Sequence, residues 1–138
     1  MTGGPQWRDA SAPSLDDLAA LADAAFAALP DEVRAAAGQL VFRVDEFPSD
    51  ELLDDLGIED AFELTGLYQG VDRIRRSIFD PSPDASRVFL FRRPILDEWA
   101  ERGDVTLGEL ITHILVHEIG HHMGLSDDDI HAIEAREG

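Results

Sequence analysis

The stretch of sequence that decides the fold runs His117-Glu118-Ile119-Gly120-His121-His122-Met123-Gly124-Leu125-Ser126-Asp127. Upstream, Thr106 and Glu109 form a helix N-cap signature, so we predict one helix that begins there and continues through the motif. On such a helix His117 and His121 are four residues apart and project from the same face. Both imidazoles can then reach one Zn²⁺ ion at about 2.0–2.1 Å from each nitrogen. The sequence therefore predicts a metal site near the end of this helix.

Glu118 has a different place in the motif, because it lies beside the metal rather than on it. From there its carboxylate can take a proton from a water that the metal holds, which is the general-base role in a metalloprotease. The helix dipole also favours histidine in a last turn, which offers an ordinary explanation for His121 and His122. That explanation covers neither His117 nor Glu118, so a metal site is the better interpretation.

A third metal ligand must come from outside the helical pair. Gly124 permits a left-handed turn that folds the chain back and brings Asp127 toward the ion. Acidic residues in the first turn of a following helix are also stabilising without any metal, and Asp129 is the alternative ligand. Glu134 is a poor candidate, because the chain ends at residue 138, only 17 residues after His121. Two histidines and Asp127 leave a position open for water.

Other residues near the motif or in the predicted sheet are candidates for supporting roles at the same site. His113 shares the face of the metal ligands, but eight residues rise about 12 Å along a helix, so we predict that it packs or supports a ligand. His122 points away from that face and is predicted to pack or hydrogen-bond. Tyr68, the only tyrosine, is a possible oxyanion donor. The strand over residues 87–92 is a candidate edge for an extended substrate, and a plain core strand is the alternative.

The composition argues against several other classes of protein. The chain has 29 acidic and 11 basic residues and a formal net charge of −18, which disfavours binding to nucleic acid or anionic membranes. It has no cysteine, so thiolate zinc sites and cysteine nucleophiles are excluded. The first residues lack the apolar core of a signal peptide, and no run approaches the ~18 apolar residues of a membrane span, so a cytoplasmic location is the default expectation.

The rest of the pattern predicts an α+β fold. Residues 1–13 read as a disordered arm, and residues 14–138 are expected to form one domain with its own core. A Ser14 cap opens the first helix, which continues to Pro30. The other predicted elements are an Ala-rich turn over 31–37, strands over 40–45 and 66–70, a helix over 49–56, a loop over 80–86, a strand over 87–92 closed by Pro94, and helices over 95–102, 106–123 and from Ser126 onward.

Residues 117–127 resemble the H-E-x-x-H-x-x-G-x-x-[HD] site of metzincin-type metallopeptidases. Together with Gly66–Gly70 and Arg92–Leu96, the string from Val116 to Ile130 is similar to the small bacterial zincin-like metallopeptidases, which are minimal matrix-metalloproteinase-like domains. The resemblance covers most of residues 38–135. It implies an α+β zincin-like fold with a small mixed sheet packed on the H-E-x-x-H helix, Zn²⁺ at the matching residues, and a peptide or protein substrate.

One departure from true metzincins concerns methionine. Metzincins carry a methionine turn after the third ligand, whereas the methionines here are Met1 and Met123, so the base of the site is expected to be built differently. Two functions remain open from the sequence. One is a zinc metallopeptidase with Glu118 as general base, and the other is a metal-stabilised binding or regulatory module with little or no turnover.

Overall fold

A computed structural model of the chain describes residues 8–38, 40–70, 86–124 and Asp128. Within these residues it contains five α-helices and one three-stranded mixed sheet, which confirms the predicted α+β fold. A short 3₁₀ turn, Ala61–Glu63, precedes the second strand. The helices are α1 (Leu15–Ala27), α2 (Asp31–Ala37), α3 (Asp50–Leu56), α4 (Arg92–Arg102) and α5 (Leu107–His122), and the strands are β1 (Leu40–Asp45), β2 (Gly66–Gln69) and β3 (Ser86–Phe91).

Capping residues set the starts of three helices where the sequence placed them. Ser14 and Thr106 each form a reciprocal capping box, with Asp17 and Glu109 respectively. Ser49 accepts a hydrogen bond from the backbone N–H of Leu52 at the start of α3. These contacts satisfy backbone N–H groups that have no partner inside the helix. The local sequence is therefore sufficient to start α1, α3 and α5.

The sheet has the order β1-β3-β2, so β3 is the central strand. β1 pairs with β3 in parallel, with Leu40 opposite Ser86, and β2 pairs with β3 antiparallel, with Tyr68 opposite Val88. The candidate substrate edge over residues 87–92 is thus wrong, because hydrogen bonds to β1 and β2 occupy both sides of that strand. Among the described residues, β1 and β2 form the edges.

Helix α5 packs against α1, α4, β2 and β3 and carries the longest buried face of the described chain. Ile111, Leu115 and Ile119 recur at four-residue spacing and are at most 2% exposed, as expected for a core-facing helical stripe. Burial of each such side chain contributes about 1.5–3 kcal/mol. Leu18 and Ala22 of α1 are fully buried in the same core. This packing fixes the helix that carries the motif.

The junction between β3 and α4 differs from the prediction. Pro94 was expected to close the strand, but the strand ends at Phe91 and Pro94 is the third residue of α4. Proline is tolerated in a first helical turn because the N–H group that it lacks has no intrahelical partner there. The Ala-rich segment over 31–37, expected as a turn, forms the seven-residue helix α2.

The described residues also bear on the N-terminal arm and on membranes. The carbonyl of Pro13 accepts a hydrogen bond from Nε of Arg92, so the chain is tied to α4 immediately before α1. Residues 1–7 and residues 80–85 of the predicted loop lie outside the described residues, and Ser86, also predicted in that loop, is the first residue of β3. Of the helices in the described parts, none has the length and apolar character needed to cross a membrane.

Candidate metal centre

Three side chains of the motif converge at the C-terminal end of α5. His117, Glu118 and His121 each place a potential ligand atom within 4.8 Å of the other two. The rings of His117 and His121 lie 4.7 Å apart at 70°, as the spacing of four residues on one helix predicts. Nδ1 of His121 is 3.5 Å from Oε1 of Glu118. Two imidazoles and a carboxylate form a donor set that fits zinc.

The end of the helix favours a cation at this place. His121 and His122 occupy the last turn of α5, and Met123 is its C-cap residue. Carbonyl groups without intrahelical partners give this end a partial negative charge. Gly124 follows with φ of 81°, so the left-handed turn that the sequence predicted is present. The field of the helix therefore adds to the attraction of the ligands for a metal ion.

Glu118 is held by a strand as well as by its own helix. Its side chain is mostly buried, and Oε1 accepts a 2.8 Å hydrogen bond from the backbone N–H of Tyr68 in β2. The donor belongs to the outer edge of the sheet. Because Phe91 donates its N–H to the carbonyl of Thr65, the alternation of an antiparallel pair turns the backbone groups of Gly66 and Tyr68 away from β3. One of these outward groups binds the carboxylate.

His122 occupies a buried hydrogen-bonded position next to this contact. The residue is 2% exposed. Its Nε2 lies 2.6 Å from the carbonyl of Ala37, and its Nδ1 lies 3.2 Å from the hydroxyl of Tyr68. The Tyr68 hydroxyl also donates to Oγ of Ser86 at 3.2 Å. The prediction that His122 packs or hydrogen-bonds is confirmed, whereas Ser86 and the Ala37 carbonyl were not foreseen.

The remaining predicted site residues have different outcomes. His113 is exposed, so it does not pack in the core, and the alternative that it supports a ligand stays a prediction. The hydroxyl of Tyr68 contacts Ser86 and His122, and its role as oxyanion donor stays a prediction. Asp127 and Asp129 lie outside the described residues, as does the predicted last helix except for the exposed, helical Asp128. Their role as third ligand also stays a prediction.

The contact between Glu118 and Tyr68 joins residues 50 positions apart. The sequence predicts the helical face on which Glu118 lies, but not the strand that meets it. Glu118 and His122 are four residues apart, so they share a helical face displaced by one residue from the pair His117 and His121. That spacing predicts a second polar face on α5. The strand that meets this face follows from the tertiary fold.

A helix that presents H-E-x-x-H beside a small mixed sheet is the arrangement of zincin-type metalloproteins. The family model of the zincin-like metallopeptidases matches residues 37–137, which is most of the chain. The chain belongs to this family. Comparison with curated proteins gives no match. The family implies a metal, usually zinc, and the His-Glu-His cluster is a possible site for it.

Proposed function

We propose that this protein is a zinc-dependent metallopeptidase that hydrolyses peptide bonds with Glu118 as its general base. The observation that carries the proposal is the cluster itself, in which two imidazoles and one largely buried carboxylate gather within 4.8 Å. Imidazole nitrogens and a carboxylate oxygen are the ligand types that Zn²⁺ prefers in proteins without cysteine. A shared cation accounts for all three residues at once.

His117 and His121 would hold the ion, and Glu118 would remain beside it. A zinc ion bound there supplies a Lewis acid for the scissile carbonyl and lowers the pKa of water toward neutrality. Glu118 takes the proton of the attacking water on a carboxylate oxygen and returns it to the leaving amine. Its hydrogen bond from Tyr68 fixes the carboxylate in one orientation, which favours proton transfer over a defined path.

Asp127 is proposed as the third ligand, with Asp129 as the alternative. Gly124 supports this, because its positive φ of 81° allows a turn three residues before Asp127. The strongly acidic composition, with a net charge of −18, would attract both a divalent cation and basic or unstructured peptide segments.

An extended peptide would add to the outer edge of β2 rather than to β3. The N–H of Tyr68 is already donated to Glu118, so an added strand would pair with the other backbone groups of Gly66 and Tyr68 that point away from β3. This edge lies next to the cluster, since the N–H of Tyr68 reaches Glu118. A substrate on β2 would therefore carry its scissile bond past His117 and His121.

Metal content of the purified, untagged protein tests the ligand set. We expect about one zinc per chain, and loss of zinc in His121→Ala and Asp127→Ala. His113→Ala is the matched control, because this histidine lies on the same helix and is exposed. Loss of zinc in Asp129→Ala but not in Asp127→Ala would reassign the third ligand. Absence of bound zinc, with no uptake when zinc is added, would contradict the whole site.

A Glu118→Gln variant tests the chemistry. Loss of a general base typically costs about 10²- to 10⁴-fold in rate, so cleavage of a peptide library should fall by at least about 100-fold while zinc content is retained. Undiminished hydrolysis in this variant would refute Glu118 as the base.

The second candidate is a metal-stabilised binding or regulatory module with little turnover. One observation favours it, because Oε1 of Glu118 already accepts the N–H of Tyr68 in a largely buried position. If this is the function, Glu118→Gln leaves the activity in cells intact. Under the peptidase proposal, the same change abolishes it.

A further inference from the structure

Helix α5 presents two pairs of polar side chains, each with a spacing of four residues. His117 and His121 form the metal-facing pair, and Glu118 and His122 form a second pair rotated by about 100° around the helix. Both members of the second pair bind the same residue of β2. Glu118 accepts the backbone N–H of Tyr68 at 2.8 Å, and Nδ1 of His122 lies 3.2 Å from its hydroxyl. Tyr68 is therefore held to α5 at both ends.

The hydroxyl of Tyr68 contacts two buried side chains, His122 and Ser86. Nε2 of His122 lies 2.6 Å from the carbonyl of Ala37, which can only accept a hydrogen bond. The Tyr68 hydroxyl donates to Ser86, which is 1% exposed, at 3.2 Å. The cluster thus joins the end of α2, the end of α5, β2 and the start of β3. A buried polar network whose members have their hydrogen bonds holds one geometry, because a buried polar group left without a partner is destabilising.

The carboxylate of Glu118 has two competing roles. Its oxygen lies within 4.8 Å of ligand atoms of both His117 and His121, so it is close enough to become a ligand itself. A carboxylate that binds an ion directly is a poorer general base than one beside it, since its lone pairs are committed. The hydrogen bond from the N–H of Tyr68 holds the carboxylate to β2. This contact separates the role of general base from the role of metal ligand.

We infer that Tyr68 is the positioning residue of this site, and that His122 and Ser86 act through its hydroxyl to hold its N–H on Glu118. The connection keeps the carboxylate beside the metal site instead of in the ligand set. The hydrogen bonds of Tyr68 with Glu118, His122 and Ser86 are present in the structure whatever the activity. Only their consequence for turnover rests on the proposed function.

The test begins on the metal-free protein with the backbone amide of residue 68, observed by NMR. Tyr68→Phe removes the hydroxyl and leaves the ring and the amide in place. Loss of the hydroxyl contacts removes the anchor of the Tyr68 ring, so we expect amide hydrogen exchange at residue 68 to accelerate about tenfold. The amide of Leu67, which faces β3, should keep its exchange rate. Glu118→Gln, which removes the charged acceptor, should move the chemical shift of the same amide.

Thr112→Val is the matched control, because it also removes one hydroxyl hydrogen bond from α5. That hydroxyl donates to the carbonyl of Gly108, within the helix, and should leave residue 68 unchanged. His122→Phe, which removes both ring nitrogens and with them the contact to the Tyr68 hydroxyl, should also accelerate exchange at residue 68. His122→Gln retains an N–H donor and should accelerate it less. An exchange rate at residue 68 in Tyr68→Phe within twofold of the wild type, or equal acceleration in Thr112→Val, overturns the inference.

The zinc-loaded enzyme gives the second readout. Tyr68→Phe should keep about one zinc per chain and a nearly unchanged KM while kcat falls about tenfold, as expected for a misplaced reacting group. If Glu118→Gln retains full hydrolysis, the peptidase proposal fails while the amide result can still stand. If Glu118→Gln abolishes hydrolysis but the amide of residue 68 does not respond to Tyr68→Phe, the positioning role fails alone.

Discussion

Replacement of Gly66 by alanine tests how closely β2 and α5 approach each other. A Cβ atom at residue 66 would lie 2.7 Å from Cγ2 of Ile114 and 3.3 Å from the carbonyl oxygen of Phe89. Ordinary carbon contacts lie at about 3.5–4.0 Å, so α5 would have to move away from β2 by roughly 1 Å. Ile114 is one helical turn before Glu118. The same movement would therefore break the 2.8 Å hydrogen bond from Tyr68 to Glu118.

Two effects of opposite sign decide the stability of Gly66→Ala. Overpacking of a filled core costs about 1–3 kcal/mol, whereas replacing glycine at a compatible backbone position gains about 0.4–1 kcal/mol. The clash is the larger effect, so the net change is destabilising by about 1–2 kcal/mol. For a domain of this size we expect Tm to fall by roughly 3–10 °C.

The assay is thermal and urea unfolding of the metal-free protein, with the amide exchange of residue 68 measured alongside. Gly108→Ala is the control, because a Cβ at that position of α5 would meet nothing within 4 Å, and alanine there should stabilise the helix by up to about 1 kcal/mol. The double variant Gly66→Ala with Ile114→Ala removes the clashing methyl group. It should cost about 1–2 kcal/mol less than the sum of the single changes.

Gly66→Ala at wild-type stability, or strict additivity in the double variant, would refute the close approach of α5 and β2. In that case α5 and β2 would lie too far apart for the 2.8 Å hydrogen bond between Tyr68 and Glu118. If Gly66→Ala loses much stability but the amide of residue 68 exchanges normally, the packing of α5 on β2 does not control the position of the carboxylate.

Two further predictions concern the cap of α5 and the metal. Thr106→Ala should cost about 1 kcal/mol of unfolding free energy, because it removes the N-cap acceptor. In the folded protein the Thr106 backbone N–H, and then its side chain, lower the pKa of Glu109 below its ordinary value of 4.5. The stabilisation by Glu109 is thus present above about pH 4.5 and lost as pH falls through the lowered pKa, and stability in Thr106→Ala should depend less on acid pH. Zinc at about 100 times its Kd should stabilise the fold by about 2.7 kcal/mol in unfolding assays, and chelation should remove this gain. The gain should shrink from about pH 8 to about pH 5 because protons compete for the imidazoles, and a Tm that chelator never changes would count against a bound metal.

The elements that local sequence controls were predicted well. The caps at Ser14, Ser49 and Thr106 started helices at the expected residues, and Gly57 and Gly103 ended α3 and α4 in left-handed conformations. The alternation in β1 also matched its exposure from Leu40 to Val44. In each case residues within a few positions of one another decide the outcome.

Two local assignments were wrong, the closing of β3 by Pro94 and the turn over 31–37. The other errors came where distant segments decide the outcome. Strand order depends on pairing between residues such as Leu40 and Ser86. The hydrophobic residues of β3 would suit either a central strand or an edge strand, so the sequence does not give its place in the sheet. His113 was expected to pack because it shares the ligand face, but no neighbouring element covers that part of α5, among the described residues, enough to bury it. The partner of Glu118 could not be read from the motif, because the N–H that it accepts carries no side-chain signature.

The two interactions of the site differ in the length of chain that must be ordered to form them. The pair His117 and His121 needs only one helical turn, whereas the contact of Glu118 with Tyr68 closes a loop of 50 residues. Short-range contacts form early in folding, and long-range ones wait for loop closure. A nascent or locally unfolded chain can therefore present its imidazoles to a metal ion before its carboxylate is oriented. Completion of the sheet is then the last step in assembling the site, which ties the competence of the carboxylate to the folded state of the whole domain.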